Sequence, residues 1–328
     1  MTTSITPRRL RGWLNLTDEL EARDSLLRHY LQAKYPNHRP LQSDYRADVH
    51  DRLVEPLAGY ESLTGTAFDH MIQLRFDSSW KMGLIDSGVR IAAEQSFLCR
   101  DAMESLKWLD AAECPDASLA QYAFVYAVFT TVARRPQVMA SPYFRKLFPK
   151  HAKKTAFDAN RILAWPPDKI VADLMALLDV AQRQLVPRLS PDMLTNEAAP
   201  TFTGSAIIKA DGDFISDGIL FEFKTTREDV LRSNAIYQLL CYLLLDFDDA
   251  HHLKGIAHYS TRYGHLQMWP AQRFISTLAD RKIDVSEERG RFRHFLNNHS
   301  PHPFGDAAWW ESQSAAASAR DPLPANDS

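Results

Sequence analysis

The apolar residues change their spacing near residue 200, and this restricts the fold more than any other feature of the chain. From about residue 16 to residue 193 they mostly recur at helical intervals, which predicts helices over residues 18–35, 63–76, 119–133 and 166–189. The last of these has Pro166 and Pro167 near its start, where a missing N–H costs nothing. From residue 202 to 226 the pattern turns to short β-rich runs broken by Asp-Gly. A helical segment follows over about residues 227–245, then strand-like runs at 255–260 and 265–269 around a turn at Arg262-Tyr263-Gly264. Further helices are expected over residues 270–279 and 286–296. Strands interleaved with helices predict an α/β fold with a small mixed sheet flanked by helices and a large helical elaboration before it.

With 328 residues, 45% hydrophobic and 24% charged, the chain is long and apolar enough for a sizeable core. It reads as one domain over residues 1–311, with N-terminal helices to residue 80, a helical elaboration at 81–198, a core at 199–270 and C-terminal helices at 271–311. An Ala/Ser-rich tail at 312–328 is expected to be disordered. No apolar run approaches the roughly 20 residues that cross a bilayer, and the N-terminus lacks an apolar signal core. The expectation is a cytoplasmic protein without a membrane partner. Cys99, Cys114 and Cys241 form no CxxC pair, which argues against a disulfide framework, a structural zinc or a four-cysteine cluster. A formal charge of −3 disfavours a surface that coats nucleic acid wholesale but allows a local basic groove.

The segment from Ala210 to Thr226 reads as two antiparallel strands joined at Ser216-Asp217-Gly218, since Asp-Gly is a strong hairpin signal. Alternation in the second strand puts Leu220, Glu222 and Lys224 on one face, and Ile219, Phe221 and Phe223 on the other, which packs on the core. A carboxylate and an ammonium inside so apolar a strand are costly unless they pair or bind a metal. Cleaving a phosphodiester needs a hard cation on oxygen ligands, to polarise the phosphoryl group and lower the pKa of a water. Asp213 and Glu222 are candidates to hold Mg²⁺ or Mn²⁺, with the backbone carbonyl of Phe223 as a third ligand and Lys224 beside the attacking water. An acid two residues before a lysine is by itself a weak pattern, and chance supplies about one in a chain this long. Asp280-Arg281-Lys282 matches it as well, but it follows a helical run without an acidic hairpin and reads as a solvated face.

Downstream, Gln238 and Tyr242 are spaced i,i+4 on one face of an apolar helix, where a buried amide needs partners. Asp213, then Glu222-Phe223-Lys224, then Gln238 and Tyr242 resemble the PD-(D/E)XK (restriction-endonuclease-like) nuclease superfamily, in particular the RecB-type branch with its QxxxY helix. Residues 64–70 open a helix as that branch's first motif does, and residues 200–213 and 237–248 are similar to a group of bacterial members. The resemblance implies that Asp213 and Glu222 are metal ligands and that Lys224 is the catalytic lysine. It gives Gln238 and Tyr242 the task of positioning DNA or the lysine. One departure stands out: four residues after Gly65, where the branch has histidine, this chain has Asp69, with His70 adjacent. Asp69 is either an additional acid near the metal or a local cap. Asp211 competes with Asp213 for the first acidic role, because a regular strand would point both to one face. Asp217 reads as the turn residue.

Arg227, Arg232 and Arg262 lie close in sequence to this constellation and are expected to contact phosphates. Residues 143–154 interleave aromatic and basic residues in the manner of a strand-binding surface, although such runs are usually solvated faces. His251, His252, His258 and His265 fit no zinc spacing. There is no phosphate-binding glycine loop and no nucleophile elbow. The reading is a Mg²⁺- or Mn²⁺-dependent nuclease using metal-activated water, acting on DNA, with RNA open to the same chemistry. The alternative is a nucleic-acid-binding protein on a nuclease fold that has lost turnover.

Overall fold

In the computed structural model, residues 13, 15–48, 51–77, 83–95, 114–147 and 162–299 are described. The tail after residue 312, Cys99 and the basic residues of 148–154 lie outside them. Among the described residues, five strands form one mixed sheet in sequence order: β1 (Asn196–Ala198), β2 (Phe214–Ser216), β3 (Ile219–Lys224), β4 (Gly255–Ser260) and β5 (His265–Pro270). The pairs β1–β2, β2–β3 and β4–β5 are antiparallel, and β3–β4 is parallel. The β2–β3 connection is the two-residue turn Asp217-Gly218, with φ of 45° and 73°, the left-handed values that select Asp-Gly for a tight hairpin. The parallel step needs a crossover, and helix α9 (Ser233–Leu245) provides it.

Before the sheet come α1 (Leu16–Glu21), α2 (Leu26–Lys34), α3 (Arg39–Ala47), α4 (Glu61–Phe76), α5 (Gly83–Gln95), α6 (Asp116–Arg134), α7 (Pro142–Leu147) and α8 (Asp168–Gln184). After it come α10 (Ala271–Ala279) and α11 (Val285–His299). The single helix expected over 18–35 is two, because Ser25 caps a fresh start by accepting from the Arg28 N–H. The helix expected from residue 227 begins only at Ser233; residues 227–232 form a loop whose Asp229 carboxylate is committed to Tyr45 and His265.

Both faces of the sheet are buried, which corrects the expectation of a single core face on β3. Phe214, Phe221, Phe223, Ala257 and Tyr259 pack into a core with α4, α6 and α8. Ile215, Leu220, Ile256 and Trp269 pack into a second core with α1–α3 and α9–α11. A two-sided core is the usual setting of a strand with a parallel neighbour, and it leaves Glu222 and Lys224 among apolar layers on either side. Among the described residues, no helix is long and apolar enough to cross a membrane.

Helices α5 and α6 touch closely at Gly88, where an added Cβ would lie 1.9 Å from the Phe129 carbonyl oxygen. Gly88→Ala is therefore expected to force the two helices apart and cost about 1–3 kcal/mol, read by denaturant unfolding. An unchanged midpoint would show that the helices separate freely.

Candidate active site

Strand β2 begins only at Phe214, opposite Phe221, so residues 222–224 of β3 have no β2 partner on that edge. The Asp213 carboxylate takes the place of a strand there, and its Oδ2 accepts from the Phe223 N–H at 2.7 Å. Residues 211–213 are not regular strand: only Thr201 and Asp211 bridge, and Gly212 N–H donates to the Pro200 carbonyl. The N–H and C=O of one extended residue point to the same side, so the Phe223 carbonyl also faces this uncovered edge.

Glu222 is 1% exposed. One of its oxygens accepts from Lys224 Nζ, and the other is buried without a partner. Lys224 Nζ also donates to Gln238 Oε1 at 3.3 Å, and Gln238 Nε2 donates to the Tyr242 hydroxyl at 2.7 Å. The crossover helix α9 lies over the Leu220/Glu222/Lys224 face, which is why its i,i+4 pair meets the lysine. The Tyr242 ring stacks on Phe202 at 5.5 Å between centroids. His258 is the cross-strand neighbour of Glu222, and burial first, then Lys224, lowers its pKa to about 3, so it adds no charge.

Asp69 arrives from the other helical layer, on α4, with one carboxylate oxygen buried and unpartnered. The next residue, His70, lies against α6: its ring nitrogens meet Gln73 Oε1 and Thr130 Oγ1, each at 2.9 Å. Gln73 Nε2 in turn donates to the Asp213 carbonyl at 3.0 Å. His70 thus anchors α4 and the backbone of Asp213, while Asp69 belongs to the acidic cluster.

The cluster is electrostatically strained. Burial pushes the Asp213 carboxyl well above its ordinary range, and Glu222 and Asp69 push it further, against the pull of Lys224 and the Phe223 N–H. Burial, then Glu222, raises Asp69 to about 8. Burial works to lower Lys224, but Glu222, Asp213 and Asp69 outweigh it and the net direction is up, so the group is an ammonium at neutral pH. Burial, then the nearby carboxylates, keeps the Tyr242 phenol protonated. Among the described residues no three His, Cys, Asp or Glu side chains form a ready-made cation cage. A cage of that kind is not what Mg²⁺ requires, since it is commonly held by one or two carboxylates, with waters and substrate phosphate completing the shell. Two orphaned carboxylate oxygens, and carboxyls that burial and mutual repulsion keep from ionising together, fit a divalent cation whose charge would let them ionise.

A pH dependence follows. In the folded chain Asp69 keeps its proton up to about 8, against an ordinary value of 3.8. The folded state binds more protons in between, so this contribution to stability is complete below 3.8 and is lost as pH rises to about 8. Asp69→Asn removes the loss. The melting temperature of the variant minus that of the wild type should widen between about pH 5 and about pH 8 in metal-free buffer, and Mg²⁺ should narrow it. A gap independent of pH would contradict the assigned strain.

The basic residues divide. Arg227 is exposed and lies 3.8 Å from Glu61. Arg232 is exposed at the start of α9 and pairs with Glu228. Arg262 corrects the expectation of a phosphate contact: it is fully buried and bonds both oxygens of Asp173, at 2.9 and 3.0 Å. Arg145 and Lys146 of the basic run are exposed on α7. Two site residues escaped the sequence reading. Gln73 had a signal, being i,i+4 from Asp69 on a largely apolar helix. Arg134, which pairs with Asp211, had none, because only the packing of α6 brings it there.

No family model, curated protein or solved structure matches the chain.

Proposed function

We propose that this chain is a Mg²⁺- or Mn²⁺-dependent nuclease with a core of the PD-(D/E)XK type, acting on DNA. The observation that carries the reading is the linked set Glu222–Lys224–Gln238–Tyr242 closing on Asp213 beside Asp69 at the uncovered edge of β3. The mixed sheet with an acidic hairpin and a helical crossover supports the fold assignment.

Asp213, Glu222 and the Phe223 carbonyl would hold the cation, with Asp69 close behind. A bound divalent ion supplies charge at the phosphoryl oxygen and a lowered pKa for water. The chain's own part is positioning. Lys224 enters as an ammonium and balances phosphate charge at Nζ, and its hydrogen bonds to Glu222 and Gln238 fix where that charge sits. Tyr242, kept neutral, accepts from Gln238 and so leaves the amide oxygen turned to the lysine. Glu222 is sealed among the apolar layers around β3, which strengthens its pairing with Lys224.

The test is cleavage of end-labelled single-stranded and duplex DNA, and of RNA, with Mg²⁺ or Mn²⁺. The wild type is expected to cut DNA and EDTA to stop it. An inert protein across all substrates and both metals would overturn the reading.

A further inference from the structure

We propose that Arg134 is a phosphate-binding residue of this site, held by Asp211 in the free protein and handed to a nucleic-acid phosphate when substrate arrives. The inference rests on the nuclease reading for its ligand, but its geometry stands by itself. Arg134 is the last residue of α6, and its guanidinium pairs with the Asp211 carboxylate. The two side chains are 48% and 44% exposed, so the pair lies on the solvent-facing border of the acidic cluster. Asp211 is two residues before Asp213, whose carboxylate accepts from the Phe223 N–H, and Asp213 and Asp69 both act electrostatically on Arg134.

Its helix is fixed there. Thr130, one turn earlier on the same face, meets His70 at 2.9 Å, beside Asp69 on α4. An exposed ion pair contributes little to stability, so exchanging Asp211 for a phosphate costs little. The guanidinium offers a planar fork that takes two phosphate oxygens at once and never loses its charge. Arg134 is thus a half-exposed cation beside the cluster that no rigid network ties down, in contrast with Arg262 in its sealed pair with Asp173. The same reading takes Asp211 out of the metal shell. Its carboxylate serves the arginine, while the half-buried carboxylate at Asp213 faces β3.

The experiment uses the full chain and a fluorescein-labelled DNA oligonucleotide, single-stranded and duplex, titrated by anisotropy in EDTA so that no strand is cut. Arg134→Ala is expected to weaken binding about 10- to 100-fold. It should also flatten the slope of log affinity against log salt by about 0.9 on duplex or about 0.7 on single strand. Arg134→Lys, which keeps the charge and the fold, should recover the slope but only part of the affinity. Asp211→Asn should bind more tightly than wild type. An unchanged slope in Arg134→Ala overturns the proposal, and so does a wild type that binds neither oligonucleotide. Cleavage with Mg²⁺, run in parallel, separates the two readings. Binding with the expected slopes but without cleavage sinks the nuclease and keeps Arg134 as a phosphate contact; cleavage with an unaltered Arg134→Ala slope does the reverse.

Discussion

Glu222→Gln is expected to lower DNA cleavage by at least about a thousandfold while making the metal-free protein more stable near pH 8. The two effects have one cause. Glutamine keeps the Oε1 acceptor that Lys224 uses, so the linked set through Gln238 to Tyr242 stays in place. What disappears is a buried negative charge that raises both Asp69 and Asp213. Without it Asp69 and Asp213 ionise more readily, so the stability lost as pH rises through the neutral range is smaller. The same charge is a proposed anchor for the cation, and losing Lewis-acid stabilisation worth several kcal/mol is a loss of at least about 10³ in rate, at 1.36 kcal/mol per decade. If Glu222 were only a structural partner of Lys224, the isosteric change would leave cleavage near wild type and lower the melting temperature. Paired measurements of rate and thermal melting therefore separate the roles.

Arg262→Ala is expected to destabilise the fold by about 3–5 kcal/mol without changing the kinetic constants of the molecules that remain folded. Arg262 is fully buried, bonds Asp173 bidentately at 2.9 and 3.0 Å, and donates to the Glu55 carbonyl at 3.1 Å. Removing the guanidinium leaves the Asp173 carboxylate uncompensated inside the core beneath α8. Asp173→Ala should cost a similar amount by stranding the arginine. The double replacement Arg262→Met with Asp173→Leu should recover much of the loss, because a well-packed apolar pair of similar volume often equals a buried ion pair. Urea unfolding of the three variants measures this. A single-variant cost under about 1 kcal/mol would mean that the pair is wetter than its burial indicates.

How much of this was legible in the sequence depended on whether period and turn chemistry were local. Strand β3 and the Asp217-Gly218 turn were readable because alternation and a left-handed turn leave a mark in a few residues. Helices α4 and α6 were readable from their long apolar runs. Strand β1 was not: three residues carry no period, and it exists by pairing with β2. Residues 227–232 look helical by composition, yet the Asp229 carboxylate is drawn to Tyr45 and His265, which approach from other elements. Arg262 stands in a hairpin turn, where solvent exposure is the natural expectation. Its burial is decided by Asp173 on α8, a partner remote in sequence. The choice between Asp211 and Asp213 was open for the same reason. Strict alternation puts both on one face, and only the departure from strand geometry at 211–213 sends one carboxylate to Arg134 and the other to Phe223.

The central claim is that Lys224 and the carboxylates around it make a phosphodiester-cutting site, and one side-by-side assay tests it most directly. Purified wild type and Lys224→Ala are incubated with DNA and Mg²⁺ or Mn²⁺, and each is melted in the same buffer to show that it is folded. Lys224 is the ammonium in contact with Glu222, so its removal should also leave the variant more dependent on divalent cation for stability. The expected result is cleavage by the wild type, stopped by EDTA, and none by folded Lys224→Ala. Equal cleavage by the two proteins would contradict the account.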